Sequence, residues 1–351
     1  MQHRVLGSTG VTVSQLCLGT MMFGAWGNQD HKECERIIDR ALDAGINFID
    51  TADVYSAGES EEIVGHALAQ KRQHVVLATK VNHAMGEDPN ARGNSRRWIT
   101  QEVDNSLRRL GTEWIDLYQI HRPDPNTDID ETLGALTDLV RAGKIRYLGS
   151  STFPAHQIVE AQWIAERRAH QRFVCEQPPY SMLARKIEAD VLPVCQKYGL
   201  GAITWSPLNG GWLSGSYTTE TKGQTPFRAT HDPIRFDLSI KENQRKYEAA
   251  RALAQVASDA GLSLIHLAIG FVLQHPAVTS VIIGPRTMQQ IESQLGAAEV
   301  RIDDKVLDEI DAIVPPGANL NPIDAGWEPP TISSPRLRRR GPVDGAPPPG
   351  F

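Results

Sequence analysis

Short apolar runs rich in β-branched residues recur along the chain, each followed by a longer stretch whose apolar positions return at helical spacing. The runs cover residues 16–18, 46–49, 75–78, 115–120, 145–149, 173–175, 201–204 and 280–283, eight in all. Amphipathic segments lie between them at 33–44, 61–69, 100–110, 129–142 and 156–168. Gly45, Gly111 and Gly143 each stand just past the last periodic residue, where a left-handed helix cap favours glycine.

Strand–helix alternation with short connections predicts a parallel sheet, and right-handed crossovers can close eight such units into a (β/α)8 TIM-type barrel. An open doubly wound sheet is the alternative, but the G-x-G-x-x-G turn it usually carries after the first strand is missing. Three regions depart from the repeat. Residues 3–13, with Gly7-Ser8-Thr9-Gly10 at their centre, read as an N-terminal β-hairpin. Residues 207–240 form a long loop after the seventh strand, a length that in a compact domain usually means function. Residues 1–334 are expected to form one barrel domain, and residues 335–351, rich in Pro, Gly and Arg, a flexible tail.

Composition narrows the function. The net charge of −6 argues against a nucleic-acid binder, and 40% hydrophobic residues suffice for a large core. No apolar stretch approaches the roughly 20 residues of a membrane span, and no export signal is evident at the start. Cys17, Cys34, Cys175 and Cys195 are scattered without a C-x-x-C pair and read as buried thiols of a soluble, cytoplasmic protein. The oligomeric state is not legible. Asp124 to Asp128 imitate the start of a calcium loop, but Ile129 and Ala135 replace its obligatory glycine and glutamate. The histidines show no metal-ligand spacing, so no metal site is expected.

In a β/α barrel the chemistry sits where the strands end. The exits here are Gly19-Thr20-Met21, Asp50 with Tyr55 beyond it, Lys80, His121-Arg122, Ser150-Ser151-Thr152, Glu176-Gln177, Trp205-Ser206-Pro207-Leu208 and Gly284-Pro285-Arg286. Each is weak evidence alone. Asp50 could be a helix cap, Lys80 a solvated charge, His121 a structural histidine and Tyr55 a packing residue. A carboxylate, lysine, phenol and imidazole on neighbouring strands nevertheless suit carbonyl reduction, which needs a proton donor beside the oxygen that gains negative charge. A free tyrosine has a pKa of about 10, and a nearby ammonium is expected to lower it. Asp50 would keep Lys80 charged, and His121 would orient the carbonyl.

The run Gly45-Ile46-Asn47-Phe48-Ile49-Asp50-Thr51-Ala52-Asp53-Val54-Tyr55, followed by Glu59-Ser60-Glu61 and Gly65, resembles the aldo-keto reductases. So do Ala78-Thr79-Lys80, Ile115 to His121, Gly143-Lys144-Ile145-Arg146, Trp205-Ser206-Pro207-Leu208 and Gly284-Pro285-Arg286-Thr287, in consistent order over roughly residues 3–313. The resemblance implies a tetrad of Asp50, Tyr55, Lys80 and His121, with Tyr55 as the acid and NADPH as hydride donor. It also implies that Gly19, Thr20, Met21 and Asp50 border the cofactor. Ser151, Thr152 and Gln177 would hold the carboxamide end, and Trp205 would stack on the nicotinamide. Ser206, Pro207, Leu208 and Gly210 would follow the pyrophosphate, with Arg228 from the long loop. Gly284, Arg286, Gln290 and Gln294 would grip the adenosine 2′-phosphate and adenine, which favours NADPH over NADH. Trp205 in place of tyrosine is similar to the potassium-channel β-subunits and their bacterial relatives. Thr152, Ser216, Ser293 and Gln294 depart from the family pattern. Histidine rather than glutamate at 121 favours carbonyl over carbon–carbon double-bond reduction.

The expected ligand is a small carbonyl substrate, with Phe23, Trp26, Tyr55, His121 and Phe153, and also Trp327, as candidate pocket walls and His83 and Arg122 as polar contacts. Two other classes compete. A Schiff-base aldolase would use Lys80 but leave Tyr55, Trp205 and Arg286 without roles. An NADP(H)-binding regulatory or redox-sensing subunit with weak turnover is compatible with the same tetrad.

Overall fold

The computed structural model describes residues 1–216, 232–334 and 337. Its centre is a closed barrel of eight parallel strands: β3 (Leu16–Gly19), β4 (Phe48–Asp50), β5 (Val76–Val81), β6 (Ile115–Ile120), β7 (Ile145–Ser151), β8 (Phe173–Gln177), β9 (Gly201–Thr204) and β10 (Val278–Ile283), with β10 closing between β9 and β3. All eight coincide with the apolar runs. Strands covered on both faces read as unbroken apolar stretches, and β10 is buried at every position.

Helices α1 (His31–Asp43), α2 (Glu59–Leu68), α3 (Arg96–Leu110), α4 (Ile129–Arg141), α5 (Ala155–Arg168) and α6 (Val191–Tyr198) follow β3 to β8 in turn. Further on come α7 (Lys241–Asp259), α8 (Leu264–Gln274), α9 (Met288–Leu295) and α10 (Asp304–Ile313). Their ends are specified locally. Asp30, Ser95, Asp128 and Ser263 cap N-termini by accepting backbone N–H bonds, and Gly111 closes α3 at φ 59°.

The N-terminal hairpin is β1 (His3–Val5) paired antiparallel with β2 (Thr12–Ser14). It covers the lower end of the barrel, where Leu6 and Val13 join Cys17, Phe48, Ala78, Leu117, Cys175 and Ile203 in the interior cluster. Burying Leu6 contributes about 2 kcal/mol. Gly7 turns beneath the strands at φ 55°, and an added Cβ would stand 2.4 Å from the Val174 carbonyl oxygen, so only glycine fits. The second cluster fills the shell between strands and helices. All four cysteines are buried free thiols. Among the described residues no single helix is long and apolar enough to cross a membrane. The tail from 335 onward, Leu337 apart, lies outside the described residues.

Candidate active site

Period-two alternation builds the centre of the site. Phe48, Ala78, Leu117 and Cys175 form an apolar layer inside the barrel. The residues two positions on, Asp50, Lys80, Gln119 and Gln177, face the same axis one layer higher. Lys80 Nζ donates to Asp50 Oδ2 at 2.5 Å, to the Thr51 carbonyl at 2.8 Å and to the Tyr55 hydroxyl at 3.2 Å. Asp50 Oδ1 accepts from Gln119 Nε2 at 3.0 Å and Gln177 Nε2 at 2.9 Å, and Gln177 Nε2 also donates to Gln119 Oε1 at 3.0 Å. A fully buried ammonium thus has three acceptors and its carboxylate partner is saturated, the condition under which a buried ion pair is tolerated.

Tyr55 reaches the ammonium from a loop. It opens a 3-10 turn, Tyr55–Gly58, in which Ser56 and Ala57 adopt φ of 49° and 56°. Such left-handed non-glycine residues cost about 1–3 kcal/mol each and need support. Ser56 supplies part of it, its Oγ donating to the Phe23 carbonyl at 2.9 Å and accepting from the Trp26 N–H at 3.0 Å. The same contacts set the Trp26 ring 6.0 Å from the Tyr55 ring.

His121 follows β6, its ring edge-on to Tyr55 at 5.8 Å and to His83 at 4.6 Å. Its buried Nδ1 has no hydrogen-bond partner in the protein. Next in sequence, Arg122 Nη1 donates to the His121 carbonyl at 2.6 Å, and the guanidinium carbon lies 5.8 Å from the Trp205 ring centroid.

Burial pushes the Tyr55 phenol above its ordinary range, and the Lys80 ammonium only partly opposes this, so the expected lowering is reversed in sign. Burial disfavours the Lys80 charge, but Asp50 and the phenol outweigh it and hold the ammonium above its usual range. His121 is driven well below the usual imidazole value by burial, with Lys80 and Arg122 adding to it. His83 falls to about 4 by burial, then Arg122 and Lys80. At neutral pH the set is a protonated phenol, an ammonium and two neutral imidazoles, suited to donating a proton.

The residues expected to hold a dinucleotide lie on one side of the barrel mouth, beyond β7 to β10 and into α9. Ser151 Oγ donates to the Gln177 carbonyl at 2.9 Å, and Thr152 turns at φ 61°. Trp205 Nε1 is buried without a partner, as is Gln294 Oε1 on α9. Ser206 turns at φ 62° and its Oγ accepts the Gly210 N–H at 3.2 Å, while Leu208 is partly buried and Pro207 buried. Added Cβ atoms would meet nothing within 4 Å at Gly211 and Gly284, and only Phe236 at 3.9 Å from Gly210. Arg286 N–H donates to Gln290 Oε1 at 2.7 Å just before α9. Unpartnered polar atoms at both ends of this stretch, with open backbone between them, fit an extended polar ligand such as a nicotinamide dinucleotide. A Glu33 carboxylate oxygen accepts from the Met288 N–H at 3.3 Å, so an acid also sits at the start of α9.

Several expected site residues are placed elsewhere. Phe23 is fully buried and Phe153 packs edge-on against Phe173 at 5.8 Å, so both belong to the core rather than to a pocket wall. Thr20 is buried with its hydroxyl paired to Ser60 at 2.9 Å. Gly19 is required by packing, since a Cβ there would meet Ile282 Cγ2 at 2.5 Å. Met21 is half-buried. Arg228 lies outside the described residues.

Two supporting residues had no role assigned to them from the sequence, Gln119 and the strand-exit residue Glu176. Gln119 hides inside an apolar run, although its position two beyond Leu117 and two before His121 marks it as inward-facing. Glu176 is fully buried, its carboxylate accepting from Ser150 Oγ at 2.5 Å and the Phe153 N–H at 3.0 Å, and so clamps the turn that presents Ser151 and Thr152. Burial raises it to about 7, Ser150 opposing.

A (β/α)8 barrel with a carboxylate, lysine, phenol and imidazole joined at its strand ends defines a class of barrel oxidoreductases. The comparisons agree: the Aldo/keto reductase family model matches residues 15–315. The chain belongs to the aldo/keto reductase family. It is 39% identical to the "Uncharacterized oxidoreductase YrpG" of Bacillus subtilis, over 93% of this chain and all of that protein. It is also 37% identical to a "Probable voltage-gated potassium channel subunit beta" of Oryza sativa and 36% to one of Arabidopsis thaliana, each over 90% of this chain and 97% of the relative.

Proposed function

We propose that the protein reduces a small aldehyde or ketone to the alcohol with NADPH. The observation that carries this is the Lys80 ammonium, 2.5 Å from Asp50 and 3.2 Å from the Tyr55 hydroxyl. Tyr55 holds a proton and gives it to the carbonyl oxygen as negative charge develops there. Lys80 stabilises the phenolate left behind, Asp50 holds Lys80 charged, and Gln119 and Gln177 hold Asp50. The neutral His121 ring beside Tyr55 orients the carbonyl. Gln177 has its amide nitrogen engaged with Asp50 and Gln119, which leaves its Oε1 to accept the carboxamide. Trp205 offers a flat face for the nicotinamide, Ser206 to Gly210 flank the pyrophosphate, and Arg286, Gln290 and Gln294 the adenosine end. When bound, the cofactor supplies the hydride. The four buried thiols suit a cytoplasmic setting.

NADPH consumption against a panel of aldehydes and ketones tests this, with Tyr55→Phe as control. The rate falls at least about a hundredfold in the variant. A fall smaller than about tenfold, about 1.4 kcal/mol, overturns Tyr55 as the acid.

The similarity to plant proteins named as potassium channel β subunits supports a second reading, an NADP(H)-binding regulatory subunit with weak turnover. Retention of tightly bound cofactor, with one slow turnover and no steady rate, distinguishes it.

A further inference from the structure

Arg122 is a half-buried guanidinium at the mouth of the barrel, and among the described residues no carboxylate comes within 4.0 Å of it. Lys80, the other cation of the site, is balanced by Asp50. Glu176, whose charge acts on Arg122, and Asp124, two residues on in the chain, are engaged with other groups. Glu176 faces Ser150 and the Phe153 N–H, and Asp124 accepts from Thr127 Oγ1 at 2.7 Å and the Asn94 N–H at 3.0 Å. Desolvation lowers the guanidinium more than Tyr55 and Glu176 offset. A cation withdrawn from water without a counter-ion is costly unless a ligand supplies one.

The backbone beneath this side chain is held. Asn94 Nδ2 and Asn82 Nδ2 donate to the Arg122 carbonyl at 3.1 and 3.3 Å, and Asn82 Nδ2 also donates to Asn94 Oδ1 at 2.9 Å. The guanidinium therefore starts from a fixed point, beside the Trp205 ring and close enough for its charge to act on Tyr55, His83 and His121. Arg122 follows β6 and brings its guanidinium to the Trp205 ring, whereas Arg286 stands beyond β10 with its N–H on Gln290 at the start of α9, so the two cations serve different parts of the mouth. Both neighbouring imidazoles are neutral at pH 7, so Arg122 is the cation on this side of the mouth with no ion-pair partner among the described residues. Trp26, 42% exposed and tilted over Tyr55, adds an apolar face for the body of a ligand.

We propose that the carbonyl substrate carries a carboxylate, bound by Arg122 while its carbonyl oxygen meets Tyr55 and its apolar body rests on Trp26. This rests on the carbonyl-reduction reading for the placement of the carbonyl, not for the anion site. A planar fork of donors matches a carboxylate, and such charge-assisted pairs are about twice as strong as neutral ones.

Two measurements test it. In the first, ortho-, meta- and para-carboxybenzaldehyde are compared with their methyl esters as substrates with NADPH. At least one acid exceeds its ester by about tenfold or more in kcat/KM, and Arg122→Gln brings that ratio to about one, whereas Arg122→Lys keeps part of it. The ratio is insensitive to general damage in a variant. In the second, calorimetry compares benzoate with benzamide on the protein supplied with NADP+. Benzoate binds at least about tenfold more tightly, and Arg122→Gln removes the difference. Equal binding of the two probes, or a preference that survives Arg122→Gln, overturns the assignment. Carboxylate-selective binding without any turnover upholds Arg122 and removes the reductase reading instead.

Discussion

Gly326 lies so close to the edge of the Trp205 indole that an added Cβ would stand 2.7 Å from Cζ2, and 3.3 Å from Cγ2 of Thr152. The C-terminal turn thereby wedges the ring expected to face the nicotinamide. Gly326→Ala meets two penalties, the contact itself and a φ of 76°, the latter worth about 1–2 kcal/mol. Either the turn or the indole moves. Cofactor affinity falls by about tenfold, about 1.4 kcal/mol, in a fluorescence titration with NADPH. Unchanged affinity would show that the indole is fixed by other contacts.

Lys246 on α7 holds that turn in place. Its Nζ reaches Asp324 Oδ2 at 2.8 Å, with the side chains 2% and 6% exposed, and sits 5.5 Å over the Trp212 ring. Asn243, one turn earlier, donates to the carbonyls of Ile234 and Asp237 and accepts from Asn321 Nδ2 at 3.0 Å. One helix face thus ties both the long loop and the C-terminal segment. Lys246→Met strands a buried carboxylate and destabilises the fold by about 3–5 kcal/mol in urea unfolding. Adding Asp324→Leu recovers most of the loss, which separates the cost of the stranded charge from that of lost packing.

Glu176 makes stability depend on pH with a definite sign. Its folded-state value of about 7 lies above the ordinary 4.5, so its favourable contribution is complete below pH 4.5 and is lost as pH rises through 7. Glu176→Gln therefore raises the melting temperature at pH 8 relative to its effect at pH 4. The difference is about 3 kcal/mol at most. A pH-independent effect would mean that the carboxyl titrates alike in the folded and the unfolded chain.

Arg286 and Glu33 put opposite charges at the start of α9. With Arg286→Ala, kcat/KM for NADPH drops about tenfold or more while that for NADH changes less, as expected for a lost phosphate contact. Glu33→Gln moves the ratio the opposite way. A ratio that does not respond to either substitution would place the 2′-phosphate elsewhere.

The barrel was legible because strands buried on both faces are unbroken apolar runs, and the exits Asp50, Lys80 and His121 were legible because each ends such a run. Gln119 was not, since one polar residue within the run 115–120 reads as part of the strand until the inward parity is known. Phe23 and Phe153 were misassigned because nearness in sequence to a strand exit does not say whether a ring faces the cavity or the shell. The direction of the Tyr55 shift depends on how much protein surrounds the phenol, and no spacing encodes that. The ties of Asn243 and Lys246 to residues near 321–324 join segments nearly 80 positions apart, and neither segment signals the other.

Leu6 and the N-terminal hairpin stop the lower end of the barrel. Every ligand that reaches the polar layer around Asp50 and Lys80 must then enter and leave by the opposite mouth.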